Sequence, residues 1–297
     1  MIPPIRSYGA LEGFLAPARA QSELWRSGLG AAAIVMIYLA AGWGLLIVLS
    51  RSMPEFMLLR LMNEIAAGST PRGLVILLLT FAPLLLGTIF VTRKFHTRSA
   101  ATLFGPGTLR TLRLLLPWLL LFSLFTFALA LLSADAGRSN PLAVVLSWAP
   151  MAVPFLAIQI TAEEVLFRGY LLQQLGARSR NPLVWMVLPS ALFGALHFSP
   201  GEYGNHAIWP ALWAFAFGCL AADLTARTGN LGAALALHFA NNFGSLFLVG
   251  FYGQLDGLAL YTIVINTRSG FDLAPWLVLD MLNVLICWLI ARLALRV

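Results

Sequence analysis

Long apolar runs separated by short polar turns dominate the chain. Eight of them, at roughly 29–50, 73–92, 111–133, 141–175, 182–199, 207–226, 231–250 and 275–295, are long enough to cross about 30 Å of hydrocarbon as helices. The pattern predicts an all-α fold, a polytopic transmembrane bundle of about eight spans. The fourth run is too long for a perpendicular crossing, so it must tilt, bend or project. Gly105-Pro106-Gly107 marks a loop after the second run, and 251–274, with its Gly, Asp, Asn and Arg, reads as a longer one. No internal repeat or soluble domain interrupts this pattern. It divides into an N-terminal segment, 1–28, and a single integral membrane domain, 29–297. Residues 1–28 lack the compact apolar core of a signal peptide, so the first long run reads as a retained span. Leu11, Phe14, Leu15 and Leu24 lie among charges in that segment, the pattern of a stretch lying along a membrane surface.

Composition agrees: 60% of residues are hydrophobic and 10% charged, against about a quarter charged in soluble domains. The basic residues orient the bundle. With the N-terminus in the cytoplasm, Arg6, Arg93, Lys94, Arg110, Arg178 and Arg227 all fall at cytoplasmic ends, as the positive-inside rule expects. An even span count returns the C-terminus to the same side, which makes this a multi-pass protein of the cell membrane. The net charge of +7 is then a matter of topology and anionic lipid. Nucleic-acid binding would need a clustered basic face, and the pattern has none. Cys219 and Cys287 both fall inside predicted helices and read as small buried hydrophobes rather than a disulfide.

Within this apolar background, three short motifs stand out: Glu163-Glu164-x-x-x-Arg168, Phe193-x-x-x-His197 and His238-x-x-x-Asn242. An ionisable residue at bilayer depth costs roughly 2 to 3 kcal/mol even on gentle scales, so it faces a protein interior or a wet cavity. Glu164 and Arg168 have the favourable acid-before-base spacing of a helical ion pair. Glu163 is turned about 100° from Glu164 on a helix, which leaves it the freer carboxylate and a candidate general base toward water. The competing reading pairs both acids with Arg168 in a purely structural role. His197, shortly before Pro200, fits a helix end as well as a site. His238 and Asn242 share a helix face and serve either one cavity or a helix-to-helix hydrogen bond. Asp223 and Arg227 read as a local ion pair, and Asp280 and Asn283 as further polar positions on the last run. His96 and His206 fall in loops and read as solvated. No His-Glu-x-x-His, Gly-x-Ser-x-Gly or Gly-x-Gly-Asp pattern occurs in the chain.

The three motifs, in this order and inside apolar helices, resemble the CPBP family: the CAAX prenyl endopeptidases and their bacterial relatives linked to bacteriocin processing and self-immunity. Arg227-Thr228-Gly229-Asn230-Leu231 is similar to that family's lead-in to its third motif. The resemblance spans about 141–250 and implies peptide-bond hydrolysis in or near the membrane by an activated water. It makes Glu163 the general base, has His197 position or deprotonate the water, and has His238 and Asn242 donate to the oxyanion. Glu164, Arg168 and Phe193 support them. It leaves a metal open: zinc, where bound, would be held by Glu163, His197 and His238, yet the family is also known in a form working without one. The implied partners are a peptide or membrane-protein substrate and the lipid bilayer. Two other readings use the same residues. One is a peptide-binding or bacteriocin self-immunity protein on this scaffold. The other is a transporter with an acid–His relay, opposed by the absence of an inverted repeat.

Overall fold

A computed structural model describes residues 8–132 and 135–297. Arg6, with the rest of the first seven residues, and Ser133, the expected end of the third span, lie outside the described residues. The fold is a helical bundle whose elements follow the apolar runs. In order they are α1 (Gly9–Leu15), α2 (Leu24–Ser52), α3 (Glu55–Ala67), α4 (Pro71–Leu79), α5 (Ala82–Phe95), α6 (Ala101–Phe104), α7 (Thr108–Ala130), α8 (Leu142–Glu164), α9 (Leu172–Gly176), α10 (Leu188–Ala195), α11 (Pro200–Tyr203), α12 (Ile208–Thr228), α13 (Gly232–Phe243) and α14 (Gly270–Leu295). Among the described residues, six helical stretches are long and apolar enough to cross a membrane, or seven if 183–195 and 200–206, bent by 58°, form one broken span. The molecule is a multi-pass membrane protein.

This count departs from eight at the seventh expected span. α13 has 12 residues and continues into a wide π-helical turn, Gly244–Leu248, before the chain turns extended. It can be short because it does not face lipid: Gly232, Ala233, Ala234, Leu235, Ala236, Leu237, His238 and Ala240 are all buried. It packs against α7, α8, α12 and α14. Small residues let these backbones approach, the usual device where lipid offers no hydrophobic drive for helix association. The same holds where α10 crosses α12: a Cβ at Gly194 would sit 2.6 Å from the Ala211 carbonyl oxygen. The outer helices do the opposite. α2 buries only Ser27, Gly30 and Ile34 and turns Met36, Trp43 and Val48 outward.

The fourth expected span is a single 35-residue stretch, Leu142–Gly176, or roughly 50 Å at helical rise. Its C-terminal third contains the wide π-helical turn Val165–Leu171, directly after Glu164. The expected loop 251–274 contributes to a small sheet that the helical pattern did not announce. Strands β1 (Ala136–Arg138), β2 (Val249–Phe251) and β3 (Tyr261–Ile263) run in the order β1-β3-β2, with β1 antiparallel and β2 parallel to β3. α3 was also unannounced; Leu61 and Ile65 seat one face of it, and Glu64 accepts hydrogen bonds from Arg60, Arg72 and Thr70.

Two expectations for polar residues are corrected. In the described part of the N-terminal segment, residues 8–28, the apolar side chains do not all face lipid. Leu11, Phe14 and Leu15 are buried against α9 and α12, whereas Leu24, at the start of α2, is exposed as expected. His96 is not solvated: it is 2% exposed, with Nδ1 2.9 Å from the Gln21 carbonyl and Nε2 2.9 Å from the Tyr170 hydroxyl. His206 is half-buried, edge-on to Trp209. Both cysteines are free.

Candidate active site

The first motif ends α8. Glu164 is fully buried, and its Oε1 accepts from Arg168 at 2.9 Å and from His238 Nδ1 on α13 at 2.8 Å. The i,i+4 pair read from the sequence is therefore present, with a third member. Arg168 is also buried, and its guanidinium lies over the Phe193 ring, 4.8 Å from the centroid. That contact is a cation–π interaction with the face of an aromatic ring, and it explains what the Phe of the second motif does. Gly218 leaves room for the guanidinium, since a Cβ there would lie 3.2 Å from an Arg168 terminal nitrogen.

Glu163 points elsewhere, as the 100° rotation required. Its Oε2 lies 3.5 Å from His238 Nε2. That gap is longer than a normal hydrogen bond and leaves the carboxylate at the edge of a cavity of about 280 Å³. His238 therefore stands between two carboxylates, one ring nitrogen toward each. With Nδ1 donating to Glu164, the ring orientation is fixed and Nε2 is the atom presented to the cavity.

The same cavity is lined by Gln159, His197, Asn241, Asn242 and Ser245. Asn242 Nδ2 donates to Gln159 Oε1 at 3.3 Å, and Asn241 donates to Asn242 Oδ1 at 3.3 Å. Gln159 was missed in the sequence; the available signal was its position four residues before Glu163, on the same helix face inside an apolar run. His197 lies just past the end of α10. Its Nδ1 donates to the Phe193 carbonyl at 2.8 Å, and its ring is 4.6 Å from that of Phe193. It is exposed at the cavity margin. Among the described residues no hydrogen bond or ion pair joins it to Glu163 or His238, so the structure gathers Glu163, Glu164, Arg168, Phe193 and His238 more tightly than it does His197.

The donor set does not form a ready-made zinc site. Among the described residues no three His, Cys, Asp or Glu side chains are grouped so as to hold a metal ion. His238 and His197 each engage Nδ1, with Glu164 and the Phe193 carbonyl, which leaves Nε2 as the ligating nitrogen of each, as in histidines that bind a metal. Glu163, His197 and His238 as placed are not a preformed three-ligand set.

All these residues but Ser245 fall in one stretch that is similar to a known family. Residues 145–244 match the family described as type II CAAX prenyl endopeptidase Rce1-like. The similarity to that family covers about a third of the chain. A curated relative, the uncharacterized protein YyaK of Bacillus subtilis (strain 168), is 35% identical over 130 residues, covering 39% of this chain and 44% of that protein. The match thus spans less than half of the relative's length. No solved structure matches the chain. Wide π-helical turns flank the Rce1-like motifs: Val165–Leu171 follows Glu164, Leu183–Val187 precedes Phe193 and Gly244–Leu248 follows Asn242. Such turns recur at functional sites, where they re-aim side chains within a helix.

Proposed function

We propose that the protein is an intramembrane endopeptidase that hydrolyses a peptide bond in a membrane-associated peptide or membrane-protein segment. The observation that carries this reading is the placement of His238 between Glu164 and Glu163 at the wall of a cavity, within the Rce1-like segment. Glu163, half-buried and outside the Arg168 ion pair, takes a proton from water as the water oxygen bonds to the scissile carbonyl carbon. It then passes that proton to the leaving amine as the C–N bond breaks. General base catalysis of this kind contributes about 10² to 10⁴ in rate.

Glu164 does not act on substrate. Held by Arg168, it accepts from Nδ1–H of His238 and orients the ring so that, when both ring nitrogens carry a proton, Nε2–H donates a hydrogen bond to the developing oxyanion. Asn242, tied through Gln159 and Asn241, presents its amide as a second donor. One such donor is worth about 3 to 4 kcal/mol. His197 lines the entrance and positions the water or the substrate backbone. The bundle orientation proposed is the one the basic residues favour, with both termini cytoplasmic.

The test uses purified protein in lipid nanodiscs, a pool of membrane-derived peptides and water enriched in ¹⁸O. Hydrolysis by activated water puts the label into each newly formed carboxyl group. Labelled products from wild type that disappear in Glu163→Gln support the reading. Tight binding of peptides by both proteins without labelled products would shift it to a peptide-binding or immunity role on the same scaffold.

A further inference from the structure

A second cavity, larger than the first at about 520 Å³, lies between α7, α13 with its following turn, and α14. Most of its wall is apolar. Asp280 of α14 faces it, ten residues into a 26-residue helix, which is about 15 Å along the axis and so near the middle of a hydrocarbon layer of about 30 Å. A carboxylate at that depth is costly and marks a functional position whose partner should be sought.

Among the described residues the partner is missing. The cavity wall contains no Lys, Arg or His, and among the described residues no hydrogen bond or ion pair engages Asp280. The nearby polar groups are spent on one another or on the backbone. Ser123 donates to the Leu119 and Ala240 carbonyls, Thr126 to the Ser123 carbonyl, and Ser245 to the Asn242 carbonyl. Asn241 donates to Asn242. Asn283, one helical turn after Asp280, the Trp276 indole, one turn before it, and the Cys287 thiol are the remaining polar groups on the wall. Asp280 lies outside the Rce1-like stretch, which ends at residue 244.

We propose that this cavity binds a primary ammonium or guanidinium carried on an aliphatic stem, with Asp280 as its counter-charge and the apolar wall around the stem. Shape and charge both select this class: a long cation with an apolar body satisfies the acid and covers the wall, whereas a compact hydrated cation does only the first. Asn241 and Ser245 also line the Glu163 cavity, so the two chambers share a wall. A basic side chain of a bound peptide segment can therefore supply the cation, as can a free amphiphilic amine. The proposal does not depend on proteolysis.

The test is binding to the full-length protein in phosphatidylcholine nanodiscs at neutral pH, with the signal of empty discs subtracted. The probes are hexylammonium, 1-hexanol, and a peptide pair, acetyl-Leu-Lys-Leu-amide and its norleucine counterpart. Hexylammonium should bind wild type about tenfold or more tighter than hexanol, a difference of about 1.4 kcal/mol. Asp280→Asn should abolish that preference, and Glu163→Gln should retain it. A lysine preference in the peptide pair assigns the site to a side chain of a bound segment; a preference for hexylammonium alone assigns it to a free amphiphile. Equal binding of amine and alcohol to wild type overturns the proposal. So does a preference that survives Asp280→Asn or vanishes in Glu163→Gln, and the wild-type and Glu163→Gln measurements decide the matter even if Asp280→Asn does not fold.

Discussion

Two acid–arginine pairs in this protein have the same sequence spacing and different fates. Glu164 and Arg168 are 2.9 Å apart and completely buried; Asp223 and Arg227 are 2.8 Å apart and partly accessible. The third partner separates them. Glu164 holds His238, whose other nitrogen faces a cavity and a second carboxylate. Asp223 instead accepts from the Tyr8 hydroxyl at 2.9 Å and from the Trp288 indole at 3.0 Å, so it fastens the N-terminal segment and α14 to α12. One pair orients a histidine at a cavity and the other clasps three parts of the chain together. Spacing reveals that a pair forms, and the surrounding groups decide what it is for.

The largest expected effect comes from the acid outside either pair. Glu163→Gln should reduce cleavage by about 10⁴-fold, the upper range for loss of a general base, while the amount of folded protein in the membrane stays at the wild-type level. Next, Glu164→Ala should destabilise the fold by about 3 to 5 kcal/mol, because it strands the Arg168 charge in the interior; thermal unfolding in nanodiscs reads this directly. Should Glu164→Ala fold normally and Glu163→Ala retain full activity, the roles within the first motif are reversed. Asn242→Ala should lower turnover about 100-fold or more, in the range for one oxyanion donor, with little change in unfolding temperature. The smallest effect belongs to the clasp. Asp223→Asn should cost about 1 to 3 kcal/mol of stability through its weakened charged hydrogen bonds, and should leave turnover per folded molecule unchanged. Loss of cleavage in folded Asp223→Asn would erase the distinction between the two pairs.

Much of this was legible in the chain because membrane helices leave polar residues conspicuous. The three motifs stand out against an apolar background, and helical geometry alone separates Glu163 from Glu164. The span count was less legible. α13 looks like a membrane-crossing run by hydropathy, but its Gly and Ala residues are small because helices surround it, and hydropathy does not distinguish lipid from protein neighbours. The burial of His96 was hidden for a related reason: the groups that solvate it, Gln21 and Tyr170, are distant in sequence. Gln159 escaped because an uncharged amide in an apolar helix is a weak signal until Asn242 is seen against it. The role of Phe193 depends on a guanidinium stacked on its face, which no spacing rule reports.

The central claim is that Glu163 activates water in a peptide-cleaving site. Its most direct test compares the N- and C-termini of membrane proteins and secreted peptides, by mass spectrometry, in cells carrying wild type or Glu163→Gln at matched levels of folded protein. The account predicts termini present with wild type and missing with Glu163→Gln. Identical termini in the two, with the protein's cellular effect preserved in Glu163→Gln, would contradict it.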